Sequence, residues 1–532
     1  MPTRRRLLAT GLASGAALAC PSIGRPQSQT TLKVIPQIDL GILDPITTPA
    51  YVTRNYGYMV FDTLYGMDAN YKPTPQMVEG HLVEDDGKQW TLRLRDGLRW
   101  HDGEPVLARD CAASIRRWAK RDPLGEALMA ATDELSAPDD RTIRFRLKRP
   151  FALLPDALGK APSPMPAMMP QRLAETDPFK PVTEIIGSGP FRFLPDERVA
   201  GAHNAFARFD AYQPRQGGAP TWTAGPKIVH FDRVEWTTIP DPATASAAIL
   251  SGEQDYWEVA VHDTLPILRR NPNVTTAVTD PTGNCTMLRA NHLQPPFNNP
   301  AIRRALLYAI DQNACMQSFV GDNPEMIATP LGTFPPHTPL ASDVALDPLL
   351  GPRDPAKVKE MIKAAGYNGE KVVFIVASDY AFIKSMADVV ADTMTRCGLN
   401  LDYVITDWGT MLARRAKKDP VEQGGWSCFA TSWAGLDHLT PATHIALRGN
   451  GDSPSSWPGW CVSPRLESLR TAWFDAPDLP SQQAIARDMQ RQAMTDVPYT
   501  PLGQFLQPIA YRKTLTGVLP GFATFWNIQR TG

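Results

Sequence analysis

The stretch KVVFIVASDYAFIKSMADVVADTMTRCGLNLDYVITDW, residues 371–408, decides the fold class. Its apolar run at 372–376 predicts a strand, the helical spacing over 382–396 predicts a helix, and 399–405 predicts a second strand. The flanking segments continue the alternation, with helices predicted over 354–365 and 409–418 and a strand over 426–431. Strands and helices of this length in alternation predict an α/β fold with right-handed crossovers and a mostly parallel sheet.

A second α/β region precedes this one, and the two are separated near residue 282. Its predicted elements are strands over 31–35, 141–147 and 233–236, helices over 108–121 and 242–251, and a two-stranded hairpin over 89–100 that turns at Asp96-Gly97. The segment 499–515 is strand-like again and has no helix after it. If it pairs with the first region, the chain crosses twice between two lobes, which is the plan of a hinged clamshell.

Length and composition limit the number of domains, the kind of binding partner and the size of the core. The chain has 532 residues, enough for two to four domains at roughly 150 residues each. Lys and Arg number 54 against 55 Asp and Glu, a net charge of −1 that excludes a broadly basic nucleic-acid binder. Hydrophobic residues make up 43%, which allows a large core.

Residues 1–30 have the pattern of an export signal. Arg4 and Arg5 precede a short apolar stretch in the manner of a twin-arginine signal, and the stretch is too short to span a membrane as a helix. Ala17-Leu18-Ala19 offers a peptidase site, and Cys20 directly after it offers lipid anchoring as the alternative. The mature protein is therefore expected in the periplasm.

Motifs for catalysis, metals and cofactors are mostly missing. The sequence has no H-E-x-x-H and no phosphate-binding loop, and Gly187-Ser188-Gly189-Pro190 is interpreted as a structural turn. The closest histidines, His438 and His444, are six residues apart, so no metal site and no cofactor are expected. Six cysteines follow Cys20, and the sequence leaves open whether they form disulfides or are buried as small hydrophobic residues.

Several segments, in order along the chain, resemble one family. The strongest is WTLRLRDGLRWHDGEPV at residues 90–106, continued by Ala108-Arg109-Asp110. Further matches are Gly187-Ser188-Gly189-Pro190-Phe191, Ile239-Pro240-Asp241, the run from Pro296 to Asp311, and Ala364-Ala365-Gly366-Tyr367. Together they resemble the periplasmic solute-binding proteins of ABC importers, family 5, the peptide-binding type.

The resemblance implies an α/β, two-lobed clamshell of the type II periplasmic-binding-protein kind, with an additional domain in the N-terminal lobe. Domain I would combine 31–69, 185–281 and 498–532, domain II would be 70–184, and domain III would be 282–497. The implied function is a non-catalytic receptor, expected to be a monomer. It would bind a peptide or other small organic solute between the lobes and deliver it to permease subunits in the inner membrane.

The resemblance also implies candidate ligand-binding residues. Peptide-binding relatives use a Trp-x-x-Asp element whose carboxylate pairs with the ligand's ammonium group, and here Trp433 and Asp437 match it with one extra residue. The alternative for Asp437 is the N-cap of a helix that begins before Leu439. Five aromatic residues are candidates for apolar walls, with core packing as the alternative for each: Trp408, Trp426, Trp433, Trp257 and Tyr51.

Two other functions stay open at this point. An exported hydrolase would fit the twin-arginine signal, although catalytic motifs are missing. The same fold with another ligand, such as nickel, haem, a sugar or an opine, is the second alternative, and the scattered histidines disfavour nickel.

Overall fold

The chain forms two large β-sheets and crosses from one to the other, as a computed structural model of residues 30–453 and 456–531 shows. The first sheet contains, in spatial order, Val274–Ala277, Ile509–Arg512, Tyr256–Trp257, Thr31–Ile35, Arg233–Thr237, His203–Arg208 and Phe191–Phe193. The second contains Ile327–Ala328, Thr500–Phe505, Asn284–Ala290, Cys428–Ala434, Lys371–Ala377 and Asn400–Thr406. Each sheet is the centre of one lobe.

The remaining strands of the described residues lie in smaller sheets. An antiparallel sheet belongs to the first lobe and contains, in spatial order, Val78–Glu84, Gln89–Leu94, Thr142–Leu147 and Thr132–Ser136. Two short ribbons pair Tyr65–Met67 with Pro73–Pro75 and Leu515–Thr516 with Gln529–Arg530.

The α-helices cover the faces of these sheets, and many begin with an Asp, Asn or Ser cap followed by proline, which supplies no backbone donor and suits the first turn. In the first lobe they are Tyr51–Val60, Ala108–Trp118, Pro123–Ala131, Leu154–Gly159, Gln171–Ala174, Pro242–Ser251 and Leu265–Arg270. In the second lobe they are Pro300–Ala309, Gln312–Val320, Asp347–Leu350, Pro355–Ala364, Ala381–Arg396, Trp408–Arg415, Pro464–Phe474 and Leu479–Asp496.

The alternation predicted from residues 371–408 is confirmed, but the mostly parallel sheet is wrong. Lys371–Ala377 runs parallel to Asn400–Thr406 and to Cys428–Ala434. The strand Asn284–Ala290 runs antiparallel to both of its neighbours, Cys428–Ala434 and Thr500–Phe505. The chain enters the lobe by Asn284–Ala290 and leaves it by Thr500–Phe505, so no helical crossover sets the direction of these two strands.

The hairpin predicted over 89–100 is also wrong. Only Gln89–Leu94 is a strand, and its partners are Val78–Glu84 and Thr142–Leu147. Beyond the turn at Asp96-Gly97, Arg99 forms only an isolated bridge with Pro105. The turn therefore ends the strand instead of reversing it.

The chain crosses between the large sheets after residue 277 and again after residue 505. The predicted boundary near 282 lies in the first link. The C-terminal segment divides: Thr500–Phe505 pairs in the second sheet and Ile509–Arg512 in the first. The second link thus lies at 506–508, later than the 497/498 boundary expected from sequence.

Hydrophobic packing joins the two lobes. One cluster of buried side chains includes Trp236 and Phe525 of the first lobe together with Leu436 and Trp473 of the second. The six cysteines of the described residues are all buried and unpaired, which is the second of the two alternatives for them. In the same part of the chain, no helix has the length and apolar character needed to cross a bilayer.

Candidate functional site

A cavity of about 220 Å³ lies between the lobes. The first lobe supplies wall residues from the segments 67–73, 124 and 153–162, and the second supplies them from 339–340, 439–443 and 473–482. Most of the wall is apolar, and its large side chains include Met67, Leu124, Leu153, Leu340, Leu439 and Trp473. A cavity lined in this way fits a small solute with a mostly apolar body.

Tyr51 and Asp437 join the lobes near this cavity. The Tyr51 hydroxyl donates a hydrogen bond to Asp437 Oδ2 at 2.6 Å and accepts one from the Ala434 amide at 2.8 Å. The two residues are 386 positions apart in sequence. Burial raises the pKa of both the Tyr51 phenol and the Asp437 carboxyl. The contact is therefore a buried hydrogen bond that forms only when the lobes meet.

Two further contacts join the lobes at another point. Arg149 of the first lobe forms an ion pair with Asp475 of the second. Beside it, the rings of Phe151 and Phe474 stack with centroids 6.5 Å apart. The structure is thus the form in which the lobes are in contact.

Trp433 lies beside the Tyr51–Asp437 contact. It immediately precedes Ala434, whose amide reaches Tyr51, and its ring meets that of Trp457 edge to face at 5.9 Å. Its Nε1 is buried and has no hydrogen-bond acceptor in the described protein. The fold thus brings the candidates Tyr51, Trp433 and Asp437 together at this contact between the lobes.

Of the other three aromatic candidates, Trp426 and Trp408 pack in the same apolar cluster as Trp433. Trp426 is fully buried and donates its Nε1–H to the Lys417 carbonyl at 3.0 Å. Trp257 is 4% exposed and packs in a core cluster of the first lobe, and Trp408 contacts Tyr380 with ring centroids 5.1 Å apart. None of the six sequence candidates, Tyr51, Trp433 and Asp437 included, is among the residues that line the cavity. Their positions match the core-packing alternative for Trp426 and Trp257.

The N-cap alternative for Asp437 is wrong. Asp437 lies inside a short 3₁₀ turn, Gly435–His438, and its carboxylate accepts from Tyr51, not from a helix amide. The extra residue after Trp433 is accommodated by this turn, which leads directly from the strand Cys428–Ala434.

Asp156 is a site residue that sequence reasoning missed. It lies in the helix Leu154–Gly159 and lines the cavity together with Lys160, one turn further on. Lys160 forms a buried ion pair with Asp122, and its Nζ also donates to the Ser163 carbonyl at 3.2 Å. No motif marks Asp156 in the sequence, because only the packing of the second lobe against this helix makes the carboxylate part of a closed wall.

The two histidines nearest in sequence form a buried stack. The rings of His438 and His444 are parallel with centroids 3.8 Å apart, and His444 Nε2 contacts the Tyr499 hydroxyl and the Thr333 carbonyl. Burial lowers the pKa of both imidazoles, to about 3 for His444, so both are neutral near pH 7. Across residues 30–453 and 456–531, no three His, Cys, Asp or Glu side chains gather as a metal-ligand set.

Comparison with known proteins places this architecture. Residues 72–453 match the model of the bacterial extracellular solute-binding proteins, family 5. The chain is 38% identical over 534 residues to a probable peptide ABC transporter periplasmic-binding protein of Sinorhizobium fredii, covering 99% of both chains. It is 25% identical over 495 residues to a glutathione-binding protein of Pectobacterium atrosepticum, covering 89% of this chain and 88% of the relative.

Solved structures show the same fold at lower identity. A periplasmic binding protein in complex with agropinic acid, from Agrobacterium tumefaciens R10, superposes with a TM-score of 0.77 at 21% identity, covering 94% of this chain and 99% of that one. A Helicobacter pylori periplasmic binding protein in complex with the peptide STSA gives 0.77 at 20% identity, with coverage of 94% and 98%. The chain belongs to the bacterial extracellular solute-binding proteins of family 5.

Proposed function

We propose that the protein is the extracytoplasmic receptor of an ABC importer and that it holds a peptide or other small organic solute in the cavity between its lobes. The observation that carries the proposal is this cavity, whose walls come from both lobes. The Tyr51–Asp437 contact joins the two lobes beside it. The names of the Sinorhizobium relative and of the structure with bound peptide support a peptide as the solute.

The links at 278–283 and 506–508 are the proposed hinge, because they are the two places where the chain passes between the large sheets. Tyr51, Trp433 and Asp437 are proposed to act on closure: a solute that fills the cavity favours the form in which their contacts are made. The receptor is proposed to act as a monomer and to present the closed form to the permease subunits of the inner membrane.

The domain division predicted from sequence is kept as a proposal, with the last boundary moved to 506–508. Export through Arg4 and Arg5 and lipid anchoring at Cys20 also stay predictions, since both fall outside the described residues. We propose no catalytic role.

A solute that binds only the closed form should stabilise the protein strongly. At a free concentration of about 100 times its dissociation constant, it is expected to raise the free energy of unfolding by about 2.7 kcal/mol. Thermal unfolding in the presence of a panel of di- and tripeptides, amino-acid derivatives and sugars measures this. Mass spectrometry of the recovered solute tests the hydrolase alternative, because a receptor returns the solute unchanged.

Tyr51→Phe is the matched variant for the same experiment. It removes the hydroxyl that joins Asp437 to Ala434, a bond to a charged group that is typically worth about 1.5–3 kcal/mol. Affinity for the stabilising solute is therefore expected to fall by about tenfold or more. Tyr308→Phe removes a hydroxyl from a residue that is 41% exposed and should leave affinity unchanged. Equal affinities for wild type and Tyr51→Phe would contradict the role of this contact in closure.

A further inference from the structure

We infer that Asp156 is the anionic anchor of the cavity, and that the solute carries a primary ammonium group on a mostly apolar body. This inference rests on the proposed function, because it names the chemical class of the solute held in that same cavity. It departs from the expectation drawn from the family resemblance, which gave the ammonium-binding role to Asp437.

The carboxylate of Asp156 has no partner from elsewhere in the described chain. It lines the cavity, is only partly accessible, and forms no ion pair or side-chain hydrogen bond, although it lies one turn from Lys160. The neighbouring Asp122 shows the contrast, since it accepts from Lys160 and from the amides of Leu124 and Gly125 at 2.9 and 3.0 Å. The Asp156 carboxylate keeps only part of its hydration and has no cation beside it, so a cation inside the cavity would offset the cost of that partial burial.

The rest of the wall favours a cation over a zwitterion. Among the described wall residues, the only cationic side chains are Lys72 and Lys160. Lys72 is exposed, and Lys160 is already neutralised by Asp122. A carboxylate on the solute would therefore find no unpaired cation in the interior, while an ammonium group would find Asp156.

Asp437 is placed for a different task. Its Oδ2 accepts the Tyr51 hydroxyl, so the residue is engaged in joining the lobes. It does not line the cavity, whereas the nearby Leu439 and Thr440 do. The two carboxylates thus have different roles: Asp437 stabilises the closed form, and Asp156 faces the solute.

The protonation of Asp156 gives an independent readout. Burial raises its pKa to about 7, so part of the population is protonated near neutral pH. The other titratable wall residues are Tyr71, Lys72 and Lys160, none of which is a histidine or a second carboxylate. Affinity for a cation is expected to weaken as the pH falls below about 7, by up to tenfold per pH unit, because the proton and the cation compete for one carboxylate.

The test uses three leucine dipeptides of nearly equal size, measured by titration calorimetry on the full mature protein. Leucyl-leucine amide carries only the ammonium group, N-acetyl-leucyl-leucine amide carries no charge, and leucyl-leucine adds a carboxylate. For wild type we expect the amide to bind about 100-fold more tightly than its acetylated form, and the free carboxylate to bring no gain. In Asp156→Asn this preference should fall below about threefold. Asp437→Asn weakens closure for all three peptides alike, so their absolute affinities should fall while the preference for the ammonium form is kept.

The pH series is the second measurement and needs no variant. From pH 7.5 to 5.5, wild-type affinity for leucyl-leucine amide should fall while affinity for the acetylated peptide stays level. Equal binding of the two amides, preference that survives in Asp156→Asn, or loss of preference in Asp437→Asn instead would each overturn the inference. Failure of all three peptides to bind would also overturn it. In that case a small molecule released from the purified protein, detected by mass spectrometry, would still uphold the proposed function.

Discussion

Asp44→Asn is expected to lower the free energy of unfolding by about 3–5 kcal/mol. Asp44 and Arg117 form a two-pronged ion pair, with Oδ2 to Nη2 at 2.8 Å and Oδ1 to Nη1 at 3.3 Å. Their side chains are 0% and 1% exposed, so solvent cannot compensate the guanidinium once the carboxylate is gone. The same carboxylate accepts the Val182 amide at 2.9 Å, which fixes a third segment of the chain. Chemical denaturation at neutral pH measures the loss.

Asp133→Asn is the matched control for this pair. Asp133 accepts from Arg146 at 2.8 Å, but the two side chains are 49% and 59% exposed. Exposed pairs of this kind contribute below about 1 kcal/mol, because water screens both charges. The buried pair should therefore lose several times more stability than the exposed one. Similar losses in the two variants would show that burial of Asp44 and Arg117 does not determine the contribution of their pair.

Gly187→Ala is expected to cost about 3 kcal/mol or more, because the glycine packs directly on another segment's backbone. A Cβ on Gly187 would lie 2.0 Å from the Val60 carbonyl oxygen, at the end of the helix Tyr51–Val60. Backbone cannot yield as a flexible side chain does, so the cost exceeds ordinary overpacking of about 1–3 kcal/mol. The Gly189 amide also donates to the Val60 carbonyl at 2.9 Å. The segment is a structural turn, as its sequence indicates.

Gly41→Ala is the control for this prediction. A Cβ there would meet no atom within 4 Å, so the free energy of unfolding should change by no more than about 0.5 kcal/mol. Thermal and denaturant unfolding of both variants give the comparison. A Gly187→Ala protein as stable as Gly41→Ala would show that the contact with Val60 is looser than the structure describes.

Much of the fold follows from local patterns in the sequence. The helix Pro300–Ala309 begins at an Asn-Pro pair, and the Asn299 side chain caps it by accepting the Ala301 amide at 2.9 Å. The strand Lys371–Ala377 matches its apolar run. These elements depend on neighbours a few residues away, so periodicity and capping are sufficient to place them.

Strand pairing and register were harder to predict, because they depend on residues far apart in the chain. The direction of Asn284–Ala290 and the division of the C-terminal strand segment follow from where the chain enters and leaves the second lobe. Local composition carries no signal for that. The hairpin predicted at Asp96-Gly97 does not form for the same reason. Gln89–Leu94 pairs with Thr142–Leu147, which lies about 50 residues later, and not with the residues directly after the turn.

The candidate site shows the same limit. A motif surrounds Asp437 and Trp433 in the sequence, whereas Tyr51 is marked there only by its aromatic ring. That Tyr51 meets Asp437 is a fact of lobe packing. Asp156 has no motif at all, and its place in the cavity wall depends on the side chains that the second lobe brings opposite.

We propose that a bound solute holds the two lobes together, and small-angle X-ray scattering of the protein measures this change in shape. The measurement compares the radius of gyration without solute and with a saturating concentration of a solute that stabilises the protein. The radius of gyration is expected to decrease when the solute is added, since the lobes move from a more open average to the form joined at Tyr51 and Asp437. A solute that stabilises the protein but leaves the radius of gyration unchanged would contradict it.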